Sequence, residues 1–388
     1  MALSSSIYLD YNATTPCDPR VVEKMLPFFT QIYGNPANGL HVMGRQANKA
    51  VDQAREQVAD LIGAQPYEIF FTGGATESDN LATLGVARMA RNGPRKRIIT
   101  TLVEHKAVLL PCKKLQEEGY EVIFLPVDSQ GRVAIEDARA VINDQTLLVS
   151  VQTANNEIGT LQPILEISQL AHQHGAYFHS DAAQAVGKIP VNVQVLGIDL
   201  MSISAHKFYG PKGIGALYVR GGRRSIPIEP LVWGGGQENG LRSGTSNVPA
   251  IVGMGEASRI CAEMPPEESL RISSLRHELE EAVLKSIPGL KINGAEAERL
   301  PNTSSLVFPQ VDADALLLNL PRLMLGTGSA CTSGAMEPSH VLQAIGLSRE
   351  EASSTVRVSL GRFTSAQEIH LAAKEMAQAW QMLSEKAP

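Results

Sequence analysis

Lys207 stands in Ser202-Ile203-Ser204-Ala205-His206-Lys207-Phe208-Tyr209-Gly210-Pro211, after an apolar run and before a Gly/Pro-rich turn. A lysine there falls at the carboxyl end of a predicted strand, where open α/β sheets bind their ligands. Taken alone it reads first as a surface lysine in a turn. Asp181, in Tyr177-Phe178-His179-Ser180-Asp181-Ala182-Ala183-Gln184, closes another apolar run. A carboxylate buried there is costly unless it is paired, so it is either a structural acid or a working one. The two together point further. An amine that condenses with an aldehyde, and a carboxylate that keeps a pyridine nitrogen protonated, are what pyridoxal phosphate requires of a protein. The phosphate needs an anion site. Phe70-Phe71-Thr72-Gly73-Gly74-Ala75-Thr76-Glu77-Ser78 offers one as strand, glycine turn and helix start.

A second reactive residue is less easily placed. Cys331 lies in Gly326-Thr327-Gly328-Ser329-Ala330-Cys331-Thr332-Ser333-Gly334, with nothing apolar enough nearby to bury it. The other cysteines, Cys17, Cys112 and Cys261, are far apart in sequence and form no CxxC pair. They suggest neither a zinc site nor a disulfide framework, and a reducing, cytoplasmic setting is the expectation. His172 and His174, two apart on a predicted helix, point to different faces and make a poor metal pair.

The elements that must position these groups follow from patterning. Short apolar runs near 68–72, 97–100, 121–124, 147–151, 176–179, 199–203 and 215–219 alternate with helical segments near 76–91, 107–118, 134–142 and 163–173. That alternation predicts βαβ units and a mostly parallel seven-stranded sheet. The runs at 199–203 and 215–219 lie close together and are expected to form an antiparallel addition. Residues 221–246, rich in Gly, Arg and Ser, read as a long functional loop. Beyond Pro265-Pro266, helices at 267–286 and 366–385 with strands near 303–308 and 354–359 predict a smaller α+β domain. The expected division is 16–262 for the large domain, and 1–15 with 263–388 for the small one, which carries the Cys331 loop at about 326–336. Of 388 residues 44% are hydrophobic and 19% charged, with a net charge of −6, a balance that argues against a nucleic-acid partner. No run is long enough to span a membrane.

At this point the chain resembles the cysteine desulfurases of the NifS/IscS-like group, fold-type I pyridoxal-phosphate enzymes of the class V aminotransferase kind. The segments GNPAN, FTGGATESDN, EHKAV, NNEIG, DAAQAVGK, SAHKFYGPKGIGALYVR, GGGQENGLRSGT, GSACTS, EPSHVL and VRVSLGRFT carry the resemblance from Tyr8 to about residue 365. It implies that Lys207 carries pyridoxal 5'-phosphate, that Asp181 pairs with the ring nitrogen, and that Gln184 meets the ring hydroxyl. His105 would stack on the ring and shuttle protons. Ala75, Thr76, Ser204 and His206 would hold the phosphate. Thr245 would reach the phosphate of a neighbouring subunit, which implies a homodimer. Asn156 and Arg357 would bind the substrate carboxylate, a task suited to a planar guanidinium.

The implied reaction takes sulfur from L-cysteine, leaves L-alanine, and makes a persulfide on Cys331. An iron–sulfur scaffold protein or another sulfur carrier would accept the sulfur, with Cys331 an iron–sulfur ligand only during transfer and no resident metal. Gly326, Gly328 and Gly334 would give the Cys331 loop the freedom to travel. IscS-like members commonly continue past the last helix into a tail that helps dock the scaffold protein. This sequence ends at Ser384-Glu385-Lys386-Ala387-Pro388, so that docking is not assigned to residues of this chain. A selenocysteine lyase, another class V enzyme and a non-catalytic pyridoxal-phosphate-binding platform share the scaffold. A nucleotide site at Gly234–Gly240 lacks the lysine-bearing phosphate loop it would need.

Overall fold

The computed structural model describes residues 6–327 and 338–385, so Cys331 lies outside the described residues. Seven strands form the main sheet: β1 (Ile69–Thr72), β2 (Arg97–Thr101), β3 (Glu121–Leu125), β4 (Thr146–Ser150), β5 (Tyr177–Asp181), β6 (Leu200–Ser204) and β7 (Gly215–Val219). Their order across the sheet is β1-β7-β6-β5-β4-β2-β3. The run from β3 through β2, β4 and β5 to β6 is parallel, and β7 is antiparallel to both β6 and β1. The expected antiparallel pair is therefore only half an addition. β6 extends the parallel run, and the reversal begins at β7, because the ten residues between them allow a tight return but no crossover helix.

Strands β4, β6 and β7 are buried along their whole length. Helices cover both faces, which is why burial along these strands does not alternate between residues. Two such helices, α1 (Val42–Ile62) and α2 (Val248–Ala262), pack closely on each other through small residues. A Cβ at Gly255 would lie 2.6 Å from the Ala54 Cα. Helix α1 was not among the helices expected from the sequence. Its buried stripe alternates Ala47, Ala54 and Ala59 with Val51, Val58 and Ile62 among charged and amide side chains.

Apolar residues gather separately in the C-terminal part. Helices α3 (Pro266–Ser286) and α4 (Ala366–Ser384) flank a four-stranded sheet whose centre is β8 (Thr303–Val307) paired antiparallel with β9 (Thr355–Ser359). Leu9 and Ile7 belong to this second core, so the N-terminal strand Ile7–Tyr8 crosses over to pair with Leu323–Met324. No described helix is long and apolar enough to cross a membrane.

Candidate active site

The carboxyl ends of the parallel strands open into one cleft of about 1030 Å³. Lys207, Asp181, Gln184, His105, Ala75, Thr76, Ser204, His206, Asn156 and Arg357 all line it. They come from several different strand ends. His105 follows β2, Asn156 follows β4, Asp181 ends β5, and Lys207 follows β6 on a 3-10 turn. Arg357 comes from β9 of the second core, so the cleft lies where the two cores meet.

The Lys207 amine donates to the backbone carbonyls of Asn12 (2.6 Å) and Ala13 (3.0 Å). Its turn is fixed from the same segment, since the Thr15 amide and hydroxyl both donate to the His206 carbonyl. Asp181, buried at the floor of the cleft it lines, accepts from the Ala183 amide at 2.9 Å. Burial raises its pKa, while that hydrogen bond and the nearness of His105 and Lys207 pull the other way. His105 caps the helix Lys106–Glu117, its Nδ1 accepting from the Ala107 amide at 3.1 Å, which leaves the ring proton on Nε2. Burial holds this histidine neutral, with Lys207 and Lys106 lowering it further against the pull of Asp181. His206 is pushed down to about 4, mainly by burial, and hydrogen-bonds to the Thr14 hydroxyl.

The opposite wall is nearly bare backbone. Gly74 takes φ +148, and a Cβ on Gly215 would stand 2.4 Å from the Ile203 carbonyl oxygen and 2.7 Å from the Gly74 Cα. Such close approach requires glycine, and beside it Ala75 and Thr76, the first residues of the helix Ala75–Asn80, line the cleft. An amine, a buried carboxylate opposite a neutral imidazole, and a glycine cradle for an anion fit pyridoxal phosphate. Thr245 stands outside this cleft, in a neighbouring hollow of about 220 Å³ that it shares with Gly73 and Gly213.

The guanidinium of Arg357 donates from Nη2 to Asp10 Oδ1 (2.7 Å) and from Nη1 to the Asn156 carbonyl (3.1 Å), while its Nε is buried without a hydrogen-bond partner. A buried orphan donor on a cation is what an incoming carboxylate would satisfy. Thr327, in the wall of the cleft, precedes the 328–337 segment; on its far side Ser339 donates to Glu157 at 2.5 Å. Of the two flanks of the Cys331 segment, Thr327 thus lines the cleft, and Ser339 is tied to Glu157, the chain neighbour of Asn156. The remaining cysteines make poor nucleophiles. Burial pushes the Cys112 thiol to about 12 and also raises Cys17 and Cys261. His172 and His174 pair with different acids, Asp199 and Asp144, each at 2.8 Å.

Two contributors carried no legible role in the sequence. Asn12 is a hub: its carbonyl accepts from Lys207 and Gln184, and its side chain meets Lys188, Asn302, Thr303 and the Asn156 carbonyl. The only sequence signal was a polar Asp10-Tyr11-Asn12 step after an apolar pair. Glu104 is the other. One of its oxygens accepts from the Thr101 hydroxyl and the Gln152 amide, each at 2.9 Å, and the other is buried without a partner.

Burial pushes Glu104 up to about 8, against its ordinary 4.5. The folded chain therefore holds this proton between those values while the unfolded chain has lost it. The resulting stability is complete below pH 4.5 and declines as pH rises to about 8, by up to about 1.4 kcal/mol per pH unit. Denaturant unfolding of Glu104→Gln should show a shallower loss between pH 5.5 and 7.5 than the wild type, by roughly 2 kcal/mol. Parallel losses in the two proteins would contradict a protonated Glu104.

The fold and this cleft define a pyridoxal-phosphate enzyme of fold-type I. The chain belongs to the aminotransferase class-V family, whose profile matches residues 7–371. Among its relatives, the mitochondrial cysteine desulfurase of Arthroderma benhamiae is 50% identical over 383 residues, which cover 98% of this chain and 76% of the relative. A solved NifS-like protein superposes with a TM-score of 0.90 at 40% identity, covering 97% of this chain and all of that one. SspA, solved in complex with cysteine, gives 0.82 at 39% identity, covering 92% and 99%.

Proposed function

We propose that this protein is a cysteine desulfurase that transfers the sulfur of L-cysteine to Cys331 and releases L-alanine. The observation that carries this reading is the convergence of Lys207, Asp181, Gln184, His105, Asn156 and Arg357 on one cleft, whose wall also holds Thr327, the last described residue before the segment that contains Cys331. Pyridoxal phosphate bound at Lys207 supplies an acceptor for the electron pair left on the substrate Cα.

The residues do the rest. Arg357, steered by Asp10, receives the substrate carboxylate, with Asn156 beside it. Lys207, once released to the free amine, removes the Cα proton and later returns one. Asp181 holds negative charge where the ring nitrogen needs a counter-ion. Gln184 donates to the ring oxygen. Thr76, Ser204, His206 and the Ala75 amide hold the phosphate. Neutral His105 passes a proton through Nε2. The Cys331 thiolate bonds to the substrate sulfur while the Cβ–S bond breaks with its electron pair on carbon, so the persulfide forms without an external oxidant.

The two apolar cores support the division into 16–262 and 1–15 with 263–388. Thr245, in the hollow beyond the glycine wall, serves the cofactor phosphate of a second subunit, which makes the working enzyme a homodimer. A thiol on an iron–sulfur scaffold or another carrier receives the sulfur. Persulfide chemistry of this kind requires a reducing compartment, with a cytoplasmic setting the reading from cysteine usage. Product analysis of the pyridoxal-phosphate-loaded protein with L-cysteine and a thiol reductant tests the assignment. Alanine and sulfide in equal amounts are expected. Pyruvate and ammonia in place of alanine, or a keto acid formed by amino transfer, would overturn it.

A further inference from the structure

Lys188 lies four residues beyond Gln184, and nothing in the catalytic scheme uses it. Its half-buried stem lines a second, largely apolar cleft between the two cores, with Val186, Ile189 and Leu360. Its amine turns the other way. It donates to Gln184 Oε1 at 2.5 Å and to Asn12 Oδ1 at 2.9 Å. Gln184 is thereby held at both ends, because its Nε2 donates to the Asn12 carbonyl at 2.9 Å.

A carboxamide carries one acceptor oxygen and two N–H donors. With the oxygen taken by Lys188 and one N–H by Asn12, the remaining N–H of Gln184 is the group left for the cleft it lines. The Asn12 carbonyl is shared with Lys207. When the Lys207 amine is committed elsewhere, Lys188 is the contact that still dictates which end of Gln184 faces inward. We propose that Lys188 is a positioning residue for the cofactor: by donating to Gln184 Oε1 it orients that side chain to present an N–H to the ring oxygen. The inference rests on the cofactor site assigned above. Burial and the nearby charges of Lys207 and Arg357 hold the Lys188 amine well below the ordinary lysine range. Either protonation state still has the two donors this role uses.

The test is a spectrophotometric pH titration of the bound cofactor in wild type, Lys188→Met, Gln184→Leu and the double variant. Affinity for pyridoxal phosphate and melting temperature are measured alongside. Methionine matches the length of the stem and suits the apolar wall, so folding is expected to persist; Lys188→Leu stands in, with the same expectation, if it does not. A donor to the ring oxygen favours the form in which the lysine linkage has lost its proton. Each single variant should therefore raise the midpoint by about one pH unit, the scale of one lost hydrogen bond to a charged group. The double variant should match the singles. A wild-type midpoint in Lys188→Met, or an equal further shift when Lys188→Met is added to Gln184→Leu, would overturn the proposal. Failure of the wild type to show a lysine-bound cofactor would instead remove the site assignment beneath it.

Discussion

Lys207→Ala is expected to abolish the visible absorbance of lysine-bound pyridoxal phosphate and to lower the rate on L-cysteine by about 10⁴-fold, the upper range for loss of a positioned base. Two roles end together in this variant: the covalent hold on the cofactor and the proton transfer at Cα. The neighbouring amines do not replace it. Lys188 is tied to Gln184 and Asn12 on the far side of that carboxamide. Lys212 lines the cleft beyond the Gly210-Pro211 turn and is not on the short turn that follows β6. The Lys207 amine is aimed from that turn by two carbonyls and by the Thr15 clasp on His206. The phosphate wall does not depend on Lys207, so the variant should still take up the cofactor non-covalently, with weaker affinity. Absorbance spectra before and after dialysis check this, and an intact visible band in Lys207→Ala would contradict the assignment.

Much of this architecture is legible in the chain because its strands are short, apolar and separated by helices. β7 was placed to the residue, and β1 through β6 within two residues at either end. The reversal at β7 was misjudged in extent, since periodicity says where strands lie and not which neighbour each one pairs with. Helix α1 was not among the helices expected, although Ala47, Val51, Ala54, Val58 and Ile62 recur at the three- and four-residue spacing of a helical face. In the site, residues at strand ends with distinctive chemistry could be named in advance as candidates, and the structure brings most of them into one cleft. Residues that act by holding others could not. Asn12 lies 176 residues from Lys188 and 195 from Lys207 in the chain, and no local pattern announces such a meeting. Glu104 was visible next to His105, but its burial, which sets its protonation, is a property of the folded protein.

Cys331→Ala is expected to have the second large effect, and a different one. The variant should bind pyridoxal phosphate with the wild-type spectrum, because Lys207, Asp181 and the glycine wall are untouched. It should also accept L-cysteine, since Arg357 and Asn156 are intact. What it lacks is the thiolate that takes the sulfur. Cys112 is buried in the core and Cys17 and Cys261 lie outside the cleft lining, all three with thiols raised in pKa, so none can substitute. Alanine formation should fall by at least about 10³-fold, the scale for removing a catalytic nucleophile while binding persists.

The most direct test of the account is alanine release from L-cysteine by wild type and Cys331→Ala side by side, with reductant present and the extra sulfur on each protein followed by intact mass. Alanine and a persulfide from the wild type, with neither from the variant, is the predicted result. Equal alanine from both proteins would contradict sulfur transfer through Cys331.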